Sequence, residues 1–252
     1  PAGSRGGSPT ARGERSARPC RHALRENRDD RLRRLVRGID DKVEDRVVAH
    51  VHAVDPRVPR ALGPLARPDL FELLEYASGK GLRLTLSTNG TLITPDLAGR
   101  LKKLGLSYVG ISLDGMAATH DQFRGQPGAF AAALAGVPHC QEAGLKVGLR
   151  FTISRRNYRE VSAIFDLVEA YKIPRICFYH LVYTGRGRKL MAEALNHAQT
   201  REMVDLICAR TRRLFEAGLP VEVLTVDNHA DGPYLYLRMV REGSTRAPEV
   251  LE

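Results

Sequence analysis

From Arg67 onward, apolar residues recur at two periods, and the two alternate along the chain. In "RPDLFELLEYASGKG", Leu70, Leu73, Leu74 and Ala77 fall three and four residues apart. That spacing makes one apolar stripe of a helix, which Pro68 and Asp69 start and Gly79 or Gly81 ends. A strand at Leu82–Ser87 follows, then a helix from Thr94 with Pro95 in its first turn. The same rhythm gives strand Tyr108–Leu113, helix Ala129–Ala143, strand Lys146–Ile153 and helix Tyr158–Tyr171. It closes with strand Arg175–Leu181, helix Gln199–Ala217 and strand Val221–Val226. Strands alternating with long helices, without hairpin turns, are the pattern of βα units and a parallel sheet. Such crossovers are right-handed. The expected class is α/β, with too few units to close an eight-stranded barrel.

Upstream of this rhythm the text is different. Residues 1–38 are rich in Arg, Gly, Pro, Ala and Ser and lack a sustained apolar period, so they read as mostly disordered. Residues 43–63 hold strand-like pieces with no clear partner. A two-part division is therefore expected: 1–63 as a basic segment foreign to the core, and 64–252 as the folded part.

Charge sharpens this division. The 252-residue chain carries a net +10, and residues 1–60 hold fourteen Arg and one Lys against nine acids. A basic arm that binds single-stranded nucleic acid interleaves aromatics with its cations. Residues 1–60 contain no Phe, Tyr or Trp, which argues against a nucleic-acid partner. No apolar run reaches the ~18–20 residues of a membrane span, so no membrane partner is expected. Cys20, Cys140, Cys177 and Cys208 are far apart and form no CxxC group. Spacing thus gives neither a local metal site nor a disulfide framework, and a reduced, cytoplasmic chain is the default.

In parallel α/β proteins ligands collect at the carboxyl ends of the strands. Those ends carry Ser87-Thr88-Asn89-Gly90, then Ser112-Leu113-Asp114-Gly115. Short hydroxyls can bind a ligand where glycine lets the backbone come close, although Asn-Gly is also ordinary turn chemistry. Ser112 and Asp114, two apart on a strand, face one side and could hold ribose hydroxyls or an amino-acid head group. Arg124 follows in "HDQFRGQ", and its fork suits a carboxylate or phosphate. The third strand carries Arg150 and Thr152. In "RICFYHLVYTGRG", Cys177, Tyr179 and Leu181 share one face, and His180 reads as a ligand or a satisfied rim histidine.

Taken in order, "LRLTLSTNGTLI", "VGISLDG", "HDQFRG" and "FYHLVYTGRG" resemble the radical S-adenosylmethionine (SAM) enzymes. Within these, Arg67 to Glu252 is most similar to the haem d1 biosynthesis group of NirJ type, "VEVLTVDNHADGPYLYL" especially so. The resemblance implies a partial (βα)6 barrel, incomplete here at the N-terminus. It implies SAM and a [4Fe–4S] cluster as cofactors, the cluster held by a CxxxCxxC loop. It places Thr88 and Ser112 along the SAM site, Arg124 on the methionine carboxylate, and Leu181 near the adenine through its backbone. The implied substrate is a tetrapyrrole, a didecarboxysirohaem precursor that loses two propionate side chains on the way to the haem d1 of denitrification. A haem-synthesis decarboxylase and a peptide-modifying relative are alternative enzyme readings, and an α/β binding module with a basic arm is a non-enzyme one. The electron donor is not indicated.

The departures are specific. No CxxxCxxC occurs, so this chain offers no cluster ligands. Where the resemblance implies Gly-Gly-Glu-Pro, the chain has Ala61-Leu62-Gly63-Pro64. Residues 1–60 read like GC-rich coding DNA in the wrong frame. The resemblance also implies a cysteine-bearing tail, present in many relatives, beyond the point that Glu252 reaches. The chain as written is therefore expected to be inactive.

Overall fold

The computed structural model describes residues 48–50 and 63–250. Six parallel strands lie side by side in chain order: β1 (Val48–His50), β2 (Arg83–Thr88), β3 (Tyr108–Leu113), β4 (Val147–Thr152), β5 (Arg175–Tyr179) and β6 (Glu222–Val226). Helices α1 (Leu70–Gly79), α2 (Pro95–Lys103), α3 (Ala117–Arg124), α4 (Ala129–Glu142), α5 (Val161–Ala170), α6 (His197–Glu216) and α7 (Asp231–Arg241) alternate with them. This is the α/β architecture that the alternating periods imply.

Each strand sorts its residues by parity, because successive side chains point to opposite faces. Leu84 and Leu86, Val109, Ile111 and Leu113, Val147, Leu149 and Phe151, and Ile176 and Phe178 lie on one face. All are buried, in one core with Leu73 and Leu74 of α1, Leu101 of α2, Val137 of α4, Phe165 of α5 and Ile207 of α6. Among the described residues the helices thus cover one face and leave the other free of helices. Phe178 anchors the layer, with the Phe151 and Phe165 rings at 6.0 and 5.1 Å. Burying each such side chain stabilises the fold by about 1.5–3 kcal/mol.

The helix starts follow local chemistry. Thr94 caps α2 through its hydroxyl, which accepts from the Leu97 N–H at 3.2 Å, and Pro95 sits where no N–H is needed. Asn196 and Gln199 form a reciprocal capping box on α6. The Asp121 carboxylate accepts from the Gly128 and Phe130 N–H groups at 2.6 and 2.8 Å, which ties α3 to the start of α4.

Four expectations change. Residues 48–50, read as having no partner, form an edge strand in parallel register with β2. The expectations for residues 1–47 and 51–62 lie outside the described residues. "HDQFR", which the alternating rhythm leaves without an element, is the end of α3, and Gly125 closes it with a left-handed C-cap at φ 67°. Residues 231–241 add α7, a helix that begins on Asp231 and holds Pro233 in its first turn, where a missing N–H costs least. Strand β5 stops at Tyr179, so Leu181 lies beyond it.

Candidate functional site

The helix-free face has its own composition. Its residues are Thr85 and Ser87 from β2, Tyr108, Gly110 and Ser112 from β3, and Gly148, Arg150 and Thr152 from β4. Arg175, Cys177 and Tyr179 from β5 and Glu222, Leu224 and Val226 from β6 complete it. At the amino end Arg175 stacks over Tyr108, 4.9 Å from the ring centroid, and its guanidinium pairs with Glu222 through Nε at 2.7 Å. Nearer the carboxyl end Arg150 stacks over Tyr179 at 4.4 Å. Glycines make the space. A Cβ on Gly110 would lie 2.6 Å from Arg150 Cδ, and one on Gly148 would meet the Tyr108 hydroxyl. Burial holds the Tyr108 phenol well above its ordinary range, and its buried oxygen has no hydrogen-bond partner among the described residues.

At the carboxyl rim the four anticipated residues part company. Thr88 pairs with Ile111 and shares its helix-facing side. It is 3% exposed, and its hydroxyl accepts from the Gly90 N–H at 3.2 Å. Gly90 (φ 79°) could not carry a side chain, since a Cβ would sit 2.9 Å from the Ala133 carbonyl oxygen. Turn chemistry therefore occupies the Thr88 side chain. Ser87, its neighbour, faces the helix-free side, as the alternation of the strand indicates.

Ser112 lies on the helix-free face beside Arg150, half-buried, and its hydroxyl makes no hydrogen bond among the described residues. Arg124 Nη2 is 2.6 Å from Asp114 Oδ2, in an ion pair whose geometry is not that of a directed hydrogen bond. The Asp114 N–H donates to His120 Nδ1 at 3.0 Å, and its carbonyl accepts from Asn157 Nδ2 at 2.9 Å. The same Asn157 nitrogen donates to the Thr152 carbonyl at 2.9 Å, and Oδ1 accepts from the Ser154 N–H at 2.8 Å. One buried amide thus locks the ends of β3 and β4 together. The Glu160 carboxylate accepts from the Met116 N–H at 2.8 Å and the Thr119 hydroxyl at 2.6 Å, which fixes the start of α3 and so the placing of Arg124.

Leu181 is half-buried and shares a narrow cleft with Asp114, Phe123 and Thr152. It also walls a larger cavity of about 480 Å³ between β5, α6 and α7, with His180, Tyr183 and Asp231. His180 Nε2 lies 2.8 Å from Asp231 Oδ2, so it is a satisfied rim histidine. The structure therefore gathers Ser112, Asp114, Arg124 and Leu181 at the rim and turns the Thr88 side chain away. It adds Ser87, Arg150, Tyr179 and Asn157, which carried no assigned role in the sequence. Parity points to the first three, whereas the bridging by Asn157 has no local signature.

The profile of the Radical SAM superfamily matches residues 21–168, more than half of the chain. The chain belongs to the radical SAM superfamily. That match starts inside the segment whose composition sets it apart from the core. Fe-coproporphyrin III synthase of Methanosarcina barkeri is 60% identical over 189 residues, 75% of this chain and 47% of that protein. Pre-heme d1 synthase of Dinoroseobacter shibae is 44% identical over 172 residues, 68% of this chain and 43% of that protein. The chain thus spans under half the length of these relatives. Among solved structures, anSMEcpe with bound AdoMet and Cp18Cys peptide superposes with a TM-score of 0.59 at 18% identity, over 86% of this chain and 59% of that one. At that identity the likeness shows the fold.

Radical SAM enzymes bind SAM and a [4Fe–4S] cluster. The helix-free face of this radical SAM chain fits a polar ligand: among the described residues the Ser87 and Ser112 hydroxyls are unengaged, and Ser112 lies in register with the half-buried Arg150. The cluster does not fit the described residues. Cys140 is in α4, Cys177 on the helix-free face of β5 and Cys208 in α6, and no cluster of metal-ligating side chains forms among the described residues. Burial pushes the Cys140 thiol up to about 11 and raises Cys177 and Cys208 as well, opposite to what thiolate ligands need. No helix among the described residues is long and apolar enough to cross a membrane.

Proposed function

We propose that this chain carries the SAM- and substrate-facing part of a haem-biosynthesis enzyme that acts on the carboxylated side chains of a tetrapyrrole. The observation that carries this reading is the 60% and 44% identity to two enzymes whose names both specify such products. The working part is assigned to residues 64–252, whose length equals the 189 residues of the stronger match. Residues 1–63 are assigned to a foreign segment, which the upstream DNA read in its other frames would test. Thr88, Ser112, Arg124 and Leu181 are assigned to SAM. Ser112 supplies a free hydroxyl, Arg124 a cation that a ligand carboxylate would share with Asp114, and Leu181 a backbone contact. Thr88 is left to act through its main chain. The reaction is side-chain removal from a didecarboxysirohaem precursor. Two products are in view: loss of two propionates toward haem d1, and Fe-coproporphyrin III, which the higher identity favours.

The test compares the chain as written with a graft that joins residues 64–252 to the CxxxCxxC-bearing segment of the Methanosarcina relative. Both are reconstituted anaerobically with iron and sulfide, then given reductant, SAM and didecarboxysirohaem. The graft is expected to release 5′-deoxyadenosine and convert the tetrapyrrole, with the product assigned by mass. The chain as written is expected to do neither. Cleavage of SAM by the ungrafted chain would overturn the assignment of inactivity, and a graft that binds a cluster yet leaves the tetrapyrrole unchanged would overturn the substrate.

A further inference from the structure

The helix-free face holds two arginines in the same posture, and among the described residues only one of them has an acid. Arg175 stacks on Tyr108 and is neutralised by Glu222, with Nη2 and Oε1 2.8 Å apart. Arg150 stacks on Tyr179 and, among the described residues, pairs with no carboxylate. Asp114, the acid just past the end of the Ser112 strand, is taken by Arg124. Arg150 is half-buried near the middle of the sheet, in register with Ser112 on one side and Cys177 on the other. Its aliphatic stem occupies the space that Gly110 leaves open. A guanidinium held in place by packing, with its donors unspent, is preorganised for a planar anion. The hydroxyl, aromatic and thiol groups around it are neutral; the Asp227 carboxylate acts on the Tyr179 ring but forms no ion pair with Arg150 among the described residues.

We propose that Arg150 is the carboxylate anchor of this site, binding a ligand carboxylate through its fork with Ser112 as a second donor. The proposal rests on the ligands assigned under Proposed function, which offer that chemistry from two sources: the amino-acid end of SAM and the propionate side chains of a tetrapyrrole. Arg124 could reach a ligand carboxylate only by loosening an existing pair, whereas Arg150 gains its first.

The experiment uses the 252-residue chain and its Arg150→Met and Arg150→Lys variants, with thermal unfolding to show that each folds. Three probes are titrated: S-adenosylhomocysteine by calorimetry, and iron coproporphyrin III and its tetramethyl ester by Soret absorbance. Losing a charge-assisted pair weakens binding by about 10- to 100-fold. Such a loss for S-adenosylhomocysteine in Arg150→Met identifies the amino-acid carboxylate as the partner. The same loss for iron coproporphyrin III, with the ester binding wild type and variant equally weakly, identifies a propionate. Arg150→Lys keeps the charge without the fork, and is expected to fall between; it carries the test if the Met variant does not fold. Unchanged affinity of both variants for both acids would overturn the anchor and leave the functional reading standing. Failure of the wild-type chain to bind either acid would overturn that reading, and the anchor with it.

Discussion

On the helix side of β4, Val147, Leu149 and Phe151 are wholly buried. On the other side of the same strand, Gly148, Arg150 and Thr152 run from bare backbone through a half-buried cation to an exposed hydroxyl. Neighbouring strands repeat the contrast. Val109, Ile111 and Leu113 oppose Tyr108, Gly110 and Ser112, and Ile176 and Phe178 oppose Arg175, Cys177 and Tyr179. One face is interchangeable hydrocarbon that gains from every atom it buries. On the other face the large side chains depend on cross-strand partners, such as a glycine that admits a neighbour's side chain or a tyrosine that seats a guanidinium. Stability is concentrated on the first face, and the ligand chemistry proposed above falls on the second.

The largest expected effect comes from cutting into the helix face. Phe151→Ala removes a fully buried ring that meets Phe178 edge-on, and it should cost about 3–5 kcal/mol in urea unfolding. The Arg150→Met change one residue earlier should cost no more than about 1–2 kcal/mol, because it loses the stack on Tyr179 but breaks no ion pair among the described residues. Similar losses from the two substitutions would erase the proposed division of labour.

A middle-sized effect tests whether the glycines on the helix-free face are spacers. Gly148→Ala places a methyl against the Tyr108 hydroxyl and 2.9 Å from the Arg175 carbonyl oxygen. Overpacking of this kind costs about 1–3 kcal/mol. Gly99, in α2, has no neighbour within reach of a Cβ, so Gly99→Ala is the matched control and should stabilise slightly through helix propensity. Equal behaviour of the two in thermal unfolding would show that Gly148 is not holding space for Tyr108.

The same contrast explains what could be read from the sequence. The helix face was legible because hydrophobic period reports burial directly, so Leu70, Leu73, Leu74 and Ala77, or the strand Tyr108–Leu113, needed no knowledge of their neighbours. The rim was legible in part. Ser112 stands out by its place at a strand end, whereas Thr88 and Leu181 enter the site only through the family resemblance; parity turns the Thr88 hydroxyl toward the helices and leaves Ser87 on the helix-free side. Arg150 and Tyr179 drew no assignment because their meaning lies in the register of β4 with β5, which no local window contains. Asn157 was invisible for the same reason: its amide joins carbonyls of Asp114 and Thr152, residues from two different strand ends. Helix α3 was missed because its start is held by Glu160, forty-four residues from Met116.

The gentlest effect lies where the two faces meet, at His120. Its ring is 1% exposed, and Nδ1 accepts from the Asp114 N–H, so the folded form is the neutral imidazole with its proton on Nε2. Burial is the largest influence and holds its pKa below the ordinary 6.5; the Asp114 carboxylate pulls upward, the Arg124 guanidinium downward and Asp121 upward. The unfolded chain therefore binds a proton at a pH where the folded chain still does not. Between the two pKa values the unfolded state holds more protons, so stability rises with pH in that window. The contribution is complete above 6.5, is lost as pH falls through the window, and changes no further below the folded value. One proton limits the slope to about 1.4 kcal/mol per pH unit. Urea unfolding of the wild type and of His120→Asn, from pH 5 to 8, isolates it. The difference between the two should be constant above pH 6.5 and should shrink below it as the wild type gives up its advantage. Curves that stay parallel across the whole range would mean that the ring takes up its proton without disturbing the Asp114 turn, and that the rim is softer there than its hydrogen bonds imply.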